Sequence, residues 1–426
     1  MTGSAIVVCG LQWGDEGKGK MVDLLAENVN AVVRFNGGNN AGHTLVVDGQ
    51  KYVTHTLPSG IVRNGQANLV GPGVVCDPEV IIKELKIAAV HGSDVWLDRS
   101  APVILPIHRA IDAGREAAAG SGKIGTTKKG IGPVYEDFWS RRGLKLGDMV
   151  SEQRIVERLR RGRYYDERLA VARFLGVEAM SFDETVAWCL QYSGVFKLLL
   201  ADTRAIVRDM MSMGDRVLFE GAQGIMLDTV HGSQPYTTSS CCTAAGVSAT
   251  FGVYEFERVI GIAKAYATRV GAGPFPTELE CEVGGALREK GGEYGATTGR
   301  PRRCGWGDWV AACYAARVGG IREMVVTKVD VLSGFERVRA CTSYVFEDKE
   351  IDKSDTLTTR VLEDSLVGYT SFPGWNEDIT GCESIQDLPG EVGEYIRRMS
   401  SFVGLPVSAV SVGPERNQVA TSNGFL

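Results

Sequence analysis

Apolar residues fall in short β-branched blocks along the chain. Residues 4–9 (Ser-Ala-Ile-Val-Val-Cys) form one block and stop at Gly10; residues 31–35 (Ala-Val-Val-Arg-Phe) form another. An unbroken apolar run of this length, closed by glycine, predicts a strand buried on both faces, as parallel sheets use. Between the two lies a glycine-rich loop and then helical spacing over about 18–26, so strand, loop, helix and strand predict a βαβ unit. Further runs at 216–219, 258–263, 323–332 and 407–412 predict more strands alternating with helices. The fold class expected is α/β: a large, mostly parallel central sheet with a P-loop-like phosphate loop, helices on both faces, and helical and loop insertions.

The middle of the chain has a different pattern. Residues 151–175 are rich in Arg and Glu with apolar positions at helical spacing, and 194–213 would set Leu199, Ile206 and Met210 on one helical face. Gly214-Asp215 then turns into the strand that opens at Arg216. About 100–213 is therefore expected to be a mostly helical insertion within one composite domain spanning 1–426, with no linker and no internal repeat.

Composition narrows the function classes. With 46 Lys plus Arg against 52 Asp plus Glu the formal charge is −6, and no block of like charge exists. That argues against nucleic acid or a membrane surface as partner. No apolar run approaches the ~18 residues of a membrane span. Ten cysteines show no CxxC or CxxH pair, which argues against zinc, and the first basic residue is Lys18, which leaves no charged leader. A reduced, cytoplasmic protein is the expectation. The 53 glycines among 426 residues exceed the usual share of about 7%, and they fall in no low-complexity tract. They belong to turns and to loops that hug a ligand.

Two loops carry the first chemistry. Residues 10–20 read Gly-Leu-Gln-Trp-Gly-Asp-Glu-Gly-Lys-Gly-Lys, which is G-x-x-x-x-G-K from Gly14 to Lys20 with Met21 where Ser or Thr would follow. After a strand and before a helix, this spacing points to phosphate binding, because backbone N–H groups and the helix dipole favour anions there. The missing hydroxyl leaves Mg²⁺ in need of another ligand, and Asp15 inside the loop is the replacement. The second loop, Phe-Asn-Gly-Gly-Asn-Asn-Ala-Gly-His-Thr at 35–44, follows the second strand, and strand C-termini of a parallel sheet are where ligands bind. His43 between Gly42 and Thr44 is poorly placed for a core role, so contact with phosphate or catalysis is expected.

These stretches and five more resemble the adenylosuccinate synthetase family. Trp-Gly-Asp-Glu-Gly-Lys-Gly-Lys at 13–20 and Asn-Ala-Gly-His-Thr at 40–44 match its hallmarks. So do Gly-Thr-Thr-Lys-Lys-Gly-Ile-Gly-Pro at 125–133, Phe-Glu-Gly-Ala-Gln-Gly at 219–224 and Thr-Arg-Val-Gly-Ala-Gly-Pro-Phe-Pro-Thr-Glu at 268–278. Gly-Ala-Thr-Thr-Gly-Arg-Pro-Arg-Arg at 295–303 and Thr-Lys-Val-Asp at 327–330 complete seven motifs in family order.

The resemblance implies that GTP phosphorylates the 6-oxygen of IMP and that L-aspartate then displaces the phosphate, giving adenylosuccinate, GDP and phosphate. It makes Asp15 the general base and a Mg²⁺ ligand, His43 the general acid, the Gly42 carbonyl a second metal ligand, and Lys18 and Gln223 further catalytic groups. It assigns GTP to Gly14, Asp15, Glu16, Gly17, Lys18, Gly19, Lys20, Gly42, His43, Thr44, Arg302, Lys328, Val329, Asp330, Ser411, Val412 and Gly413. IMP falls to Asp15, Lys18, Asn40, Ala41, Gly42, His43, Thr127, Gln223, Thr238 and Arg300, with Arg141 reaching across a homodimer. Aspartate falls to Ala296, Thr297, Thr298, Gly299, Arg300, Pro301 and Arg302.

Chemistry supports two of these roles directly. A carboxylate at Asp330, past the apolar run Met324-Val325-Val326, can accept from guanine N1–H and the exocyclic amine together, which adenine cannot offer. Guanidinium forks at Arg300, Arg302 and Arg303, on a stretch whose glycines permit mobility, would suit a dicarboxylate. The chain departs from the family at 231–239, reading His-Gly-Ser-Gln-Pro-Tyr-Thr-Thr-Ser in place of the usual His-Gly-Thr-Tyr-Pro-Tyr-Val-Thr-Ser, with Cys241-Cys242 just beyond. The alternative function is a regulatory GTP-binding switch, built on the same phosphate loop and Lys-x-Asp. The missing Walker hydroxyl and the length of the chain weigh against it. A Rossmann dehydrogenase fails because residues 10–19 do not read G-x-G-x-x-G.

Overall fold

A computed structural model describes residues 3–47, 49–295 and 299–425. Ten strands form the central sheet: β1 (Ser4–Gly10), β2 (Ala31–Arg34), β3 (Ala67–Val70), β4 (Asp94–Asp98), β5 (Leu200–Ala201), β6 (Arg216–Gly224), β7 (Arg258–Lys264), β8 (Glu323–Thr327), β9 (Val407–Ser411) and β10 (Val419–Thr421). Their order is β10-β9-β8-β7-β1-β6-β2-β3-β4-β5. Every pairing is parallel except β9 with β10. This is the expected α/β sheet. The chain lays β2 to β5 on one side of β1 and β7 to β9 on the other, so the order reverses beside β1, where open α/β sheets bind ligands.

Two-sided burial explains the unbroken apolar runs. Along β1, Ala5, Val7 and Cys9 join one core cluster while Ile6 and Val8 join a second, the period-two alternation of a strand. The second cluster is completed by Met21, Val22 and Leu25 of α1 (Lys18–Leu25). Each such fully buried side chain contributes about 1.5–3 kcal/mol relative to exposure. Between β1 and β6 the register slips from Val8↔Glu220 to Gly10↔Gly224, so β6 uses four residues where β1 uses two. The irregularity frees the end of β6 to place side chains in the site.

Three sequence readings need correction. The run 323–332 is not one strand: β8 ends at Thr327, Lys328 takes a left-handed backbone (φ 58°), and Asp330–Leu332 is a 3-10 turn. The supposed single face of 194–213 is broken by β5. Leu199 ends the helix Phe182–Leu199 and packs in one cluster, while Ile206 and Met210 lie on the helix Thr203–Ser212 and pack in another. Asp202 between them caps the second helix, accepting from the Ala205 N–H at 3.1 Å. His43, expected in a polar loop, opens a β-hairpin of His43–Val47 and Gln50–Thr54.

Helices Pro106–Ala118, Ile131–Trp139, Glu152–Arg160, Tyr164–Phe174 and Phe182–Leu199 run between β4 and β5. An antiparallel pair, Arg337–Phe346 with Leu366–Pro373, was not anticipated. Among the described residues no helix is long and apolar enough to cross a membrane.

Candidate active site at the strand C-termini

The loop after β1 folds back on itself because its glycines allow it. A Cβ on Gly10 would lie 2.4 Å from Glu16 Oε2, and one on Gly224 would lie 2.0 Å from the Gln12 carbonyl oxygen. Glu16 is fully buried; its Oε1 accepts from the N–H groups of Gln12 (3.1 Å) and Gly14 (2.9 Å), and Oε2 pairs with Lys18 Nζ. Its carboxylate thus organises the loop from within. Gly17, in left-handed geometry, starts α1 with no side-chain cap on the first turn. Uncapped N–H groups at a helix start favour an anion. Met21 packs in the core, so no hydroxyl stands where a Walker loop carries one.

Asp15 is held in a left-handed conformation (φ 58°), and its Oδ2 pairs with Arg302 Nε at 2.9 Å. Lys20 turns away from the loop toward the far end of the sheet. Its ammonium donates to Ser411 Oγ (2.9 Å) and to the carbonyls of Gly413 (2.7 Å) and Gln418 (2.9 Å), and burial lowers its pKa to about 8.

His43 packs against the first turn of α1: a Cβ on Gly19 would come within 2.9 Å of the His43 Cβ. Its Nδ1 meets Glu220 Oε1, an interaction sequence reasoning did not identify. Glu220 is fully buried in the middle of β6 and accepts from Ser59 Oγ (2.6 Å) and Ser59 N–H (2.7 Å). Burial alone would raise the Glu220 pKa, but the His43 ring and the nearby Arg34 guanidinium bring it down to about 2. Burial lowers the His43 pKa below the ordinary histidine value, with the Glu220 carboxylate acting against that shift. A carboxylate on Nδ1 fixes which tautomer and orientation the ring adopts and reserves Nε2 for a ligand.

Next to this pair, Gln223 (φ 54°) donates from Nε2 to Asn40 Oδ1 at 3.0 Å. Its Oε1 and the Thr238 Oγ1 are buried without a hydrogen-bond partner. Buried polar atoms left unpaired cost about 1–3 kcal/mol each, and a polar ligand would satisfy them. The altered stretch 231–239 is clamped by Arg269, which donates to Ser233 Oγ (3.2 Å) and to the Tyr236 carbonyl (3.1 Å).

The remaining predicted residues form a more open rim. Asn40 and Gly42 are half-buried, Ala41 is buried, and Thr44 points outward from its hairpin. Thr127 is exposed, but its loop is tethered on both flanks. Gly125 N–H donates to Glu116 (2.7 Å) and Lys129 Nζ to the Asn39 carbonyl (2.7 Å). A cleft of about 570 Å³ lies between Lys123, Thr126, Lys128, Gly271, Arg300 and Arg303. Gly299, Arg300 and Pro301 are exposed, and Ala296, Thr297 and Thr298 lie outside the described residues. Arg141 is exposed beyond the helix Ile131–Trp139, and its N–H donates to the Phe138 carbonyl at 3.0 Å.

On the far side, Val329 N–H reaches the Ser411 carbonyl at 3.4 Å and so joins the 327–330 and 411–413 segments. Val329 and Val412 are buried, and burial raises the Asp330 pKa. Lys328 donates to the Gly291 carbonyl (2.5 Å) and pairs with Glu293 (3.0 Å), a second residue that sequence reasoning missed. Asp15, Lys128, Arg141, Gln223 and Lys328 are five of the eight non-glycine residues with positive φ among those described. Such strain costs about 1–3 kcal/mol per residue and gathers where function requires it.

The family model for adenylosuccinate synthetase matches residues 7–420. The chain belongs to the adenylosuccinate synthetase family. It is 46% identical to the adenylosuccinate synthetase of Xanthomonas euvesicatoria over 421 residues, and 45% identical to that of Trichlorobacter lovleyi over 422, covering 97% of each chain in both cases. The fully ligated adenylosuccinate synthetase of Plasmodium falciparum superposes with a TM-score of 0.93 at 33% identity, over 99% of this chain and 100% of that one. A cyanophage S-2L succinoaminodeoxyadenylate synthetase bound to dGMP and dATP shares the fold, with a TM-score of 0.63 at 20% identity over 99% of this chain and 96% of its own. The family match leaves no support for the regulatory switch, since a ligase family accounts for the phosphate loop and the Lys-x-Asp together.

Proposed function

We infer that this chain joins L-aspartate to IMP at the expense of GTP, forming adenylosuccinate, GDP and phosphate through 6-phosphoryl-IMP in purine synthesis. The observation that carries the reading is family membership across 7–420, together with Asp15 on the loop after β1, Lys18 at the start of α1, His43 at the start of its hairpin and Gln223 near the end of β6.

In this reading Asp15 takes the N1 proton of IMP, which makes the 6-oxygen nucleophilic. Nε2 of His43 faces the transferring phosphoryl group. An anionic phosphoryl oxygen there and Glu220 at Nδ1 together draw a proton onto the ring, against the burial that lowers its pKa in their absence. Lys18 offsets charge on the phosphoryl oxygens. Gln223 and Thr238 hold the purine nucleotide with the polar atoms that lack partners here. Arg300 and Arg302 take the carboxylates of aspartate, and Asp330 and Lys328 read guanine.

The donor set suits Mg²⁺. Asp15 and the Gly42 carbonyl are hard oxygen ligands, and Mg²⁺ commonly takes one or two carboxylates with substrate phosphates completing its shell. When bound, it would neutralise charge on the phosphates. The exposed Arg141 and the 73% exposed Trp139 beside it favour a homodimer in which Arg141 enters the partner's IMP site. Ten free thiols favour the reducing cytoplasm.

The test is steady-state phosphate release with each substrate omitted in turn. Turnover that needs GTP, IMP and aspartate together supports the reading; GTP hydrolysis indifferent to IMP contradicts it.

A further inference from the structure

Glu293 follows the helix Glu282–Gly291 and stands at the foot of the segment that leads to Arg300 and Arg302. Its carbonyl accepts from the Arg302 N–H at 2.9 Å, which closes that segment at its base. Its side chain is fully buried, and each of its oxygens is committed. Oε1 receives Lys264 Nζ (2.9 Å), Lys328 Nζ (3.0 Å) and Tyr266 O–H (2.5 Å). Oε2 receives Arg302 Nη1 (2.6 Å). Three cations thus converge on one carboxylate, and they hold it well below the ordinary glutamate pKa although burial works the other way.

These partners belong to different parts of the site. Lys328 lies on the guanine side. Arg302 lies on the aspartate side and also pairs with Asp15 of the phosphate loop. Lys264, at the end of β7, is tied to that loop through Gln12, whose amide donates to its carbonyl at 3.2 Å and accepts from its N–H at 3.1 Å. Long cationic side chains lose much rotamer freedom on binding unless something already holds them, and a charge-assisted hydrogen bond does so. The Asp15–Arg302 contact must also loosen if Asp15 is to meet substrate and metal. Glu293 keeps Arg302 in place through that exchange.

We propose that Glu293 is a positioning residue that presets Arg302 and Lys328 with one carboxylate, so that the aspartate and GTP sites are organised together. The proposal rests on the assignment of Arg302 to aspartate and Lys328 to GTP.

The experiment measures initial rates of Glu293→Gln against all three substrates, with thermal unfolding as a check on the fold. The amide keeps the size but cannot accept from all four donors. Losing charge-assisted bonds should raise KM for aspartate and for GTP by about tenfold each, while KM for IMP stays within about twofold. Because Glu293→Gln strands the buried Lys264, the double variant Glu293→Gln with Lys264→Met is made in parallel. It removes the stranded cation and should recover thermal stability while both KM values remain raised. A purely structural role predicts the opposite: a lowered Tm and active fraction with KM values unmoved, or full kinetic recovery in the double variant. Either result overturns the proposal. If Arg302→Leu and Lys328→Ala raise these KM values and Glu293→Gln does not, the proposal alone falls. If those two variants leave KM unmoved, the site assignment falls and takes the proposal with it.

Discussion

The centre of the site and its rim are built differently. At the centre, Glu220 and Glu16 are fully buried and Lys18 and His43 are nearly so, with Lys18 paired to Glu16 and His43 to Glu220. At the rim, Thr127, Arg141 and Arg300 are exposed and sit on loops. Groups that must hold a proton or phosphoryl oxygen within a fraction of an ångström are fixed before substrate arrives. On the proposed assignments, groups that recognise whole substrates are left where ligands can enter and where ordering them can be coupled to binding.

The sharpest way to break this contrast is at Asp15. Asp15→Asn should lower kcat at least ~10²-fold, since Asn keeps the shape but cannot take a proton, while GTP and IMP still bind within about tenfold. Mixing it with Arg141→Leu chains would probe the rim. If Arg141 serves the partner's site, hybrid dimers contain one pocket with both wild-type residues, and activity should recover to at most about a quarter of wild type at random assortment. Subunit exchange seen by mass without recovery would place Arg141 outside the partner's pocket.

A smaller effect is expected behind the centre. Glu220→Gln leaves His43 in place but without its anionic partner, and kcat should fall about 10- to 100-fold with KM values little changed. The same variant has a stability signature. The Glu220 pKa is lowered to about 2 in the fold, so its stabilisation is present above the unfolded glutamate pKa of about 4.3 and is lost as pH falls toward about 2. The wild type should therefore lose more stability than Glu220→Gln between those pH values; parallel acid unfolding curves would contradict the buried charged pair.

The smallest change concerns selectivity at Asp330, the proposed reader of guanine. Asp330→Asn should relax discrimination against xanthosine triphosphate, because an amide can donate to a 2-oxo group. An unchanged ratio of kcat/KM for the two nucleotides would show that this carboxylate does not read the base.

Legibility in the sequence followed the same divide between local and convergent features. Strands β1, β2 and β7 were readable because two-sided burial writes itself as an unbroken apolar run. The phosphate loop and the His43 loop were readable because spacing and glycines are local. The β8 run was overextended because Val329, Val331 and Leu332 are buried by a turn as thoroughly as by a strand. The partner of His43 was not readable, although Glu220 lies inside a recognised motif. Its role depends on the parallel register that sets it beside Val8 and Arg34 and on the hairpin that brings His43 to it, which no local pattern encodes. Glu293 was hidden for a stronger reason: its partners are Lys264, Tyr266, Arg302 and Lys328, and only the fold brings them together. The antiparallel pair Arg337–Phe346 and Leu366–Pro373 was missed because the strands lie apart in sequence with a helix between them.

The central claim is that Asp15 activates the 6-oxygen of IMP so that it, and not water, receives the phosphoryl group. The direct measurement is the fate of that oxygen, using IMP labelled with oxygen-18 at position 6 together with GTP and aspartate. The account predicts that each phosphate released carries one labelled oxygen, since the bond from C6 to that oxygen breaks when aspartate enters. Unlabelled phosphate formed in step with adenylosuccinate would contradict it.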